Sequence, residues 1–186
     1  TQSYTWSAVR QYVWGLYVDE LIQQLDIADI SAQETTAYYP LADLLYRTCA
    51  LTNSPDVGAP SIVEAYDYDA YGNTVIFASY GADLTWFTDD DTPAALHNPR
   101  CRYLFTGREY DSETGIYWYR ARYYSPVIGR FGSRDVFRWG VVGTDATELR
   151  RQELLNLYQY VQSRPLVSLD PTGRKWVNPA PPQPGR

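Results

Sequence analysis

The chain has 186 residues, a length that suits one domain or one piece of a larger protein. Its net charge of −6 argues against nucleic acid or an anionic membrane as the main partner. No apolar run approaches the length of a membrane-spanning helix, and two cysteines with one histidine give no ligand set for structural zinc. We therefore predict neither a metal nor another cofactor.

The aromatic content is unusual for a chain of this kind. Aromatic residues make up 16% of the sequence, and 18 of them are tyrosines. Tyrosine is favoured in strands, because its ring packs while its hydroxyl keeps a hydrogen bond. The composition therefore predicts a mainly β fold. The chain contains no methionine and opens without an export signal, so we expect a fragment or a processed product.

The N-terminal part reads as strands. Residues 12–26 mix β-branched, aromatic and polar side chains and predict two short strands around Gly15, with a helix over 18–25 as the alternative. Residues 37–52 again indicate strand structure. Pro40 cannot donate a backbone hydrogen bond, so we expect it at a sheet edge or at the entry to a strand.

Two segments predict β-hairpins of the same design. In the first, Tyr68 and Asp69 precede a turn that Gly72 closes, and strand-like runs lie on both sides. Aspartate hydrogen-bonds the backbone of its own turn, and glycine adopts positive φ at little cost. The second copy repeats the pattern: it starts at Tyr110 and Asp111 and ends at Gly115. Together they form a weak internal repeat.

A polar segment, residues 81–100, connects the two hairpins. Its three consecutive aspartates, Asp89 to Asp91, lack the ligand spacing of a calcium loop, so we expect a solvated acidic loop. Cys49 and Cys101 lie on opposite sides of this region. A disulfide between them and two separate buried thiols both remain open.

The stretch YWYRARYYSP, residues 117–126, concentrates aromatic and arginine side chains. As one continuous strand it would alternate between two faces. The apolar face, which we expect to be buried, comprises Tyr117, Tyr119, Ala121 and Tyr123. The other face, suited to stacking of guanidinium groups on rings, comprises Trp118, Arg120, Arg122 and Tyr124. An exposed ligand-binding platform is the alternative to packing.

The end of the chain changes character. Asp145 and Glu148 form an N-terminal capping pattern, which predicts one short helix near residues 145–156. The last ten residues are rich in proline and predict an extended tail.

Several motifs in order resemble the Rhs-repeat-associated core domain of bacterial Rhs and YD-repeat proteins. The resemblance is strongest over residues 66–173, and the segment YVWGLYVDELI near the start is similar to the lead-in to that core. The motifs that carry it are YDAYGN, TGREYDSETGIYWYRARYYSPVIGRFGSRD and NLYQYVQSRPLVSLDPTG. The structural positions that they mark are Tyr68, Asp69, Gly72, Tyr110, Asp111, Gly115, Tyr117, Tyr119, Tyr123, Gly129, Arg130, Phe131, Pro171 and Gly173.

This resemblance implies a fold in which YD-type β-hairpins form a curved, spiralling antiparallel sheet around a hollow shell. The core domain closes one end of that shell, which encloses a toxic segment in Tc toxins and serves adhesion in teneurins. The implied organisation has leading hairpins at 1–65, the core at 66–173 and a proline-rich tail at 174–186. The implied partners are upstream YD repeats of the same polypeptide, and the implied location is secreted or on the cell surface.

The resemblance also implies self-cleavage by two aspartates in an aspartyl-protease-like arrangement. The matching residues are Asp135 and Asp170, with Arg134 to orient them, and the scissile bond would follow Arg174. Two close carboxylates cannot both ionise comfortably, so one holds a proton while the other activates water.

The sequence departs from the cleaving members of the family. Arg174 stands where those members carry a leucine-like residue, and Val136 replaces the proline that follows the first aspartate. The segment between the two aspartates is also longer. Two interpretations of Asp170 and its neighbours therefore stay open: self-cleavage, and a turn in which the aspartate caps and Gly173 takes positive φ.

The expected function is a structural end-cap of an exported β-shell, with self-cleavage after the DPTG motif as an added possibility. The alternative is an adhesion or fibre subunit that forms homo-oligomers through its sheet edges. Activity on external substrates has little support, since no motif nominates a hydrolase site.

Overall fold

The computed structural model describes residues 9–16, 20–29, 34–53, 59–93, 99–135 and 156–178. Within these ranges the fold is mainly antiparallel β, as the composition predicts. The first sheet has seven strands in sequence order, so each strand pairs with the one before it. Its strands are β1 (Arg10–Trp14), β2 (Leu21–Asp29), β3 (Glu34–Ala42), β4 (Thr48–Asn53), β5 (Ile62–Tyr68), β6 (Thr74–Ser79) and β7 (Thr92–Pro93).

A smaller sheet of four short strands follows, in the order β11-β10-β9-β8. Single turns of 3-10 helix at Phe105–Gly107 and Val161–Ser163 flank it in sequence. The strands are β8 (Glu109–Asp111), β9 (Ile116–Trp118), β10 (Tyr123–Ser125) and β11 (Arg130–Phe131). No helix in the described part of the chain has the length and hydrophobicity needed to cross a bilayer.

The N-terminal strand prediction is confirmed. β1 and β2 lie on either side of Gly15 and pair antiparallel, so the helical alternative over residues 18–25 is wrong where the structure describes the chain. Pro40 was expected at an edge or a strand entry, but it lies inside β3 and opposite Leu51 of β4. The pairing of β3 with β2 ends at Tyr38, two residues earlier. Pro40 therefore needs no hydrogen bond on that side.

Both predicted hairpins form, and aspartate orders both turns. In the β5–β6 turn, Oδ1 of Asp69 accepts the amides of Tyr71 and Asn73 at 2.8 and 2.9 Å. Gly72 has φ of +88°, and a Cβ there would lie 2.5 Å from the Phe105 ring. Glycine is thus required twice over, by its backbone conformation and by the aromatic ring that packs against it.

The β8–β9 turn repeats this design with different partners. Asp111 accepts the amide of Glu113 at 3.0 Å and the hydroxyl of Thr114 at 2.8 Å. Gly115 closes the turn with φ of +70°. The repeat seen in the sequence is therefore a repeat of turn chemistry.

The two sheets share one aromatic core. The first sheet contributes Tyr66 of β5, and the second contributes tyrosines from three strands. A buried tyrosine removes a large apolar surface from water, but its hydroxyl needs a partner. The fully buried aromatic side chains are Tyr66, Tyr117, Tyr119, Tyr124, Tyr160, Phe105 and Phe131. The hydroxyl of Tyr124 donates to the carbonyl of Tyr71 at 2.7 Å, which ties β10 to the first hairpin turn.

The YWYRARYY stretch is a hairpin and not one strand. Arg120 has φ of +64°, and the amide of Tyr119 donates to the carbonyl of Arg122 at 2.9 Å, so the chain reverses between β9 and β10. Tyr117 pairs with Tyr124 across this hairpin, and Trp118 pairs with Tyr123.

The reversal changes which side chains face the core. Tyr117 and Tyr119 are fully buried, as predicted, but Tyr123 is 55% exposed, and Tyr124 takes the inward position. The prediction for Tyr123 is therefore wrong, because the four-residue turn shifts the alternation by one position. Arg122 also turns inward and becomes 5% exposed.

Three other predictions concern the acidic loop, the two cysteines and the helix near residues 145–156. Asp89 and Asp90 are exposed, as expected for a solvated acidic loop. Asp91 differs, because it is 8% exposed and accepts the backbone amides of Gly81 and Thr88 at 3.0 and 3.1 Å. Cys49 and Cys101 are both free thiols. The helix predicted near residues 145–156 lies outside the described residues, apart from Asn156, which is not helical.

Candidate functional site

The DPTG motif, residues 170–173, lies in a closed loop at the C-terminal end of the described chain. Leu169 and Val177 exchange two backbone hydrogen bonds, of 2.8 and 2.6 Å, across its base. Next to them, the hydroxyl of Ser168 donates to Oδ1 of Asn178 at 2.8 Å. We call residues 168–178 the C-terminal loop.

Asp170 organises the backbone inside this loop. Its Oδ1 accepts the amides of Thr172, Arg174 and Lys175 at 3.2, 3.1 and 3.1 Å. The structure therefore contains the turn in which Asp170 caps the backbone. The same carboxylate also lies next to both residues of the bond that the family resemblance marks as scissile.

Gly173 brings the C-terminal loop against the second sheet. Its φ is +69°, and a Cβ on it would lie 2.3 Å from the carbonyl oxygen of Tyr119. Any larger residue would be strained at that φ and would also push the loop away from the β9–β10 turn. Pro171, which precedes it in the motif, is partly buried.

Arg122 joins Asp135 and Asp170. Its Nη2 lies 3.1 Å from Oδ2 of Asp135 and 3.5 Å from Oδ2 of Asp170. Nε donates to the carbonyl of Gly173, and Nη1 donates to the carbonyl of Leu157 at 3.1 Å. One guanidinium group therefore contacts both candidate carboxylates and two backbone carbonyls.

The surroundings of Arg122 are apolar on one side. Its guanidinium carbon lies 3.6 Å from the centroid of the Phe131 ring, which is a close cation–π contact. Burial lowers the pKa of Arg122, and Asp135 and Asp170 oppose that shift. Arginine retains its charge in such a place because its intrinsic pKa is very high.

A second arginine supports Asp170 from the core side. Nη2 of Arg108 donates to the backbone carbonyl of Asp170 at 3.4 Å, and its guanidinium lies 5.1 Å from the centroid of the Tyr119 ring. The hydroxyl of Tyr119 donates to that of Tyr160 at 2.9 Å and shares a hydrogen bond of 2.8 Å with Thr106. Burial raises the pKa of Tyr119 and lowers that of Arg108.

The structure brings together two of the three residues that sequence reasoning nominated. Asp135 and Asp170 contact the same nitrogen, with side chains 21% and 4% exposed. Arg134 is exposed, and the guanidinium between the carboxylates belongs to Arg122. Sequence reasoning missed this role because it placed Arg122 on a stacking face; the available signal was an arginine inside a run of aromatic residues.

A small pocket opens at this cluster. It measures about 70 Å³, and its lining includes Asp135, Asp170, Arg122, Arg174 and Trp176. This volume holds a few water molecules and is small for an organic ligand. In the described ranges no group of three or more histidine, cysteine or acidic side chains is arranged to hold a metal ion.

Other positions marked by the family motifs have packing roles. Gly129 has φ of +63° and abuts the ring of Tyr71, while Phe131 is buried under Arg122. Arg130 is exposed on β11. The hydroxyl of Tyr68 donates to the carbonyl of Thr48 at 2.6 Å, which links β5 to β4.

Comparisons with known proteins relate the chain to a nuclease and to a toxin subunit. No protein-family model matches it. The tRNA nuclease WapA of Bacillus subtilis (strain 168) is 36% identical over 120 residues, which are 60% of this chain and 5% of that protein. Toxin subunit YenC2 of Yersinia entomophaga is 34% identical over 94 residues, which are 50% of this chain and 8% of that protein.

A solved structure shows the same fold. The crystal structure of TcdB2-TccC3-Cdc42 aligns with 82% of this chain and 6% of the matched chain, with a TM-score of 0.50 and 22% identity. The chain spans about 5% of the length of the first curated relatives that it matches. The chain is thus similar to parts of a nuclease and of a toxin subunit, and it has the fold of a segment from a much longer chain.

Proposed function

We propose that the chain is a structural end module of a β-shell in a toxin-type polypeptide, the end-cap role that its motifs imply. Support comes from the single aromatic core, in which residues of the second sheet cover one face of the first. Tyr117 and Tyr124 pair in the second sheet, and the hydroxyl of Tyr117 reaches Thr74 of β6 at 2.5 Å. The chain folds back over its own hairpins, as a closing segment must.

The β1 edge fits this proposal. Among the described residues, β1 is the first strand of the seven-stranded sheet and pairs with β2 on one side. Its Val13 and Trp14 are 44% and 42% exposed. A preceding strand of the same polypeptide would pair there and continue the sheet. The division at residues 65 and 173 is part of the proposal, although β5 (Ile62–Tyr68) runs across the first boundary.

The same edge is the observation that favours assembly as the second candidate function. An edge strand with exposed apolar side chains is a template for another chain, so copies could associate into oligomers or fibres. Size-exclusion chromatography with light scattering and electron microscopy separates the two. The end module predicts a monomer, whereas filaments that disappear in Val13→Lys would favour assembly, because a lysine on an edge opposes strand addition.

Self-cleavage after Arg174 is the enzymatic part of the proposal. Water would add to the carbonyl carbon of Arg174, and the bond from that carbon to the nitrogen of Lys175 would break. Asp170 would take a proton from the water, and Asp135, the more exposed carboxyl group, would enter the step protonated and deliver its proton to the nitrogen of Lys175. The products are a carboxylate on Arg174 and an amine on Lys175.

Intact mass tests self-cleavage directly. The purified chain should yield two pieces that separate under denaturing conditions, and Asp170→Asn should remain whole. Asn preserves an oxygen acceptor for the loop amides but cannot exchange a proton. A single unchanged mass at every pH would remove self-cleavage and leave the structural role in place. Export to the cell surface or medium is expected from the toxin likeness and remains part of this proposal.

A further inference from the structure

The proposed cleavage needs two carboxyl groups in fixed positions, because an aspartyl-protease-like pair works with one proton shared between them. In this structure a guanidinium lies next to both, at 3.1 Å from Asp135 and 3.5 Å from Asp170. The same guanidinium donates to the carbonyl of Gly173. One side chain therefore sets where both carboxyl groups lie relative to the C-terminal loop.

We propose that Arg122 is a positioning residue, which holds Asp135, Asp170 and the Gly173 carbonyl in one arrangement and makes self-cleavage depend on proton entry from solvent. The inference rests on the proposed self-cleavage, since the carboxylates act on the chain only in that case. The hydrogen bonds and ion pairs of Arg122 go to Asp135, Asp170 and the carbonyls of Leu157 and Gly173, so it acts through the groups that it holds.

The contacts of Arg122 explain how one side chain fixes all three groups. Its planar fork has donors in different directions, and the Phe131 ring supports one face of it. Asp135 arrives from the segment after β11, whereas Asp170 and Gly173 belong to the C-terminal loop. The two segments are distant in sequence, and Arg122 contacts both.

The two carboxyl groups differ in their access to protons from solvent. Asp135 is 21% exposed and faces the pocket, whereas Asp170 is 4% exposed and already accepts three backbone amides. A proton from solvent therefore reaches Asp135 first. The ionisable side chains at the site are Arg122, Asp135, Asp170 and Arg174, with Arg108 on the core side and Lys175 next in the chain.

The test compares cleavage rates by intact mass from about pH 4 to about pH 8, which brackets ordinary carboxyl titration. Wild type should cleave faster as the pH falls. Arg122→Gln should slow cleavage about tenfold or more at the wild-type optimum, because charge-assisted bonds are lost. Its pH profile should also differ from that of wild type, because the positive charge next to both carboxyl groups is lost. Arg122→Lys keeps the charge without the fork, so it should restore the profile and part of the rate.

Arg164→Gln is the matched control, because Arg164 is exposed and lies outside this cluster. It should follow the wild-type profile. Equal rates and profiles for wild type and Arg122→Gln would overturn the inference. So would an Arg122→Lys variant that is no better than Arg122→Gln, since loss of packing alone would then explain the effect.

If wild type never cleaves, the proposed self-cleavage is wrong. Hydrogen exchange then still tests the positioning role of Arg122. The amides of Arg174 and Lys175 donate to Asp170, which Arg122 holds. Arg122→Gln should speed their exchange about tenfold or more, and Arg164→Gln should not. Unchanged exchange of these two amides in Arg122→Gln would overturn the positioning role.

Discussion

Arg122 and Asp170 form a buried ion pair between the second sheet and the C-terminal loop. Nη2 of Arg122 lies 3.5 Å from Oδ2 of Asp170, and both side chains are 4% exposed. Burying opposite charges stabilises a protein only when their remaining hydrogen-bonding groups are satisfied. Here backbone carbonyls accept from Arg122, and backbone amides donate to Asp170. The pair therefore fixes the position of the loop as well as the charge.

Substitutions of Asp170 should differ in a defined order. Asp170→Asn loses the charge but keeps an oxygen for the amides of Thr172, Arg174 and Lys175, so we expect a loss of about 1–3 kcal/mol in the free energy of unfolding. Asp170→Ala also leaves those amides without an acceptor, so it should lower the free energy of unfolding further. Urea denaturation measures both. Equal effects of the two variants would contradict the backbone role of this carboxylate.

Gly173→Ala should be strongly destabilising. Its Cβ would lie 2.3 Å from the carbonyl oxygen of Tyr119, at a φ that alanine rarely adopts. We expect a loss of about 2 kcal/mol or more in the free energy of unfolding, measured by urea denaturation.

Gly132→Ala is the control for this prediction. A Cβ on Gly132 would lie 3.7 Å from the carbonyl oxygen of Tyr123, an ordinary contact distance. Its stability should stay within about 1 kcal/mol of wild type. The close approach of the C-terminal loop to Tyr119 would be refuted by two glycine variants of equal stability.

Tyr123 and Tyr124 provide a test of the corrected register. Tyr124 is fully buried and Tyr123 is 55% exposed. Tyr124→Ala should lower the free energy of unfolding by about 3–5 kcal/mol, because it opens a cavity in the aromatic core. Tyr123→Ala should cost about 1 kcal/mol or less. The reverse order would restore the uninterrupted strand that the sequence suggested.

The hairpins were predictable because their turns carry local chemistry. Asp69 with Gly72, and Asp111 with Gly115, specify each turn within a few residues, and the structure uses them in that way. The reversal at Arg120 was not predictable by the same reasoning. A positive φ at an arginine has no local signal, and a turn there shifts every later side chain to the other face.

The candidate site was predictable in part for a similar reason. Short sequence motifs nominate Asp135 and Asp170, and in the structure both carboxylates lie next to Nη2 of Arg122. Their arginine partner was sought next to them in sequence, at Arg134, whereas Arg122 reaches them from the β9–β10 turn. Contacts between distant segments depend on the tertiary fold, which the local pattern does not encode.

Stability should fall at alkaline pH. Burial raises the pKa of Tyr160 and Tyr103 to about 12, above the ordinary value of 10.0. A raised pKa in the folded state contributes stability that is fully present below the unfolded value. That stability is lost as the pH rises through the folded value, so the loss runs from about pH 10 to about pH 12. Cys101, also raised to about 12, acts in the same direction.

Phenolate absorbance and circular dichroism measured together check this expectation. The buried tyrosines should ionise in the same pH range in which the β-sheet signal is lost, because their phenolates are unfavourable in the core. Ionisation of all 18 tyrosines near pH 10 with the fold intact would show that the aromatic core is open to water.

A double-mutant cycle on Arg122 and Asp170 tests the central claim most directly, namely that the C-terminal loop and its two aspartates are held through this arginine. The free energy of unfolding would be measured for wild type, Arg122→Gln, Asp170→Asn and the double variant. We predict a favourable coupling of about 1–3 kcal/mol, as expected for residues in one buried network. Additive effects of the two substitutions would contradict the claim.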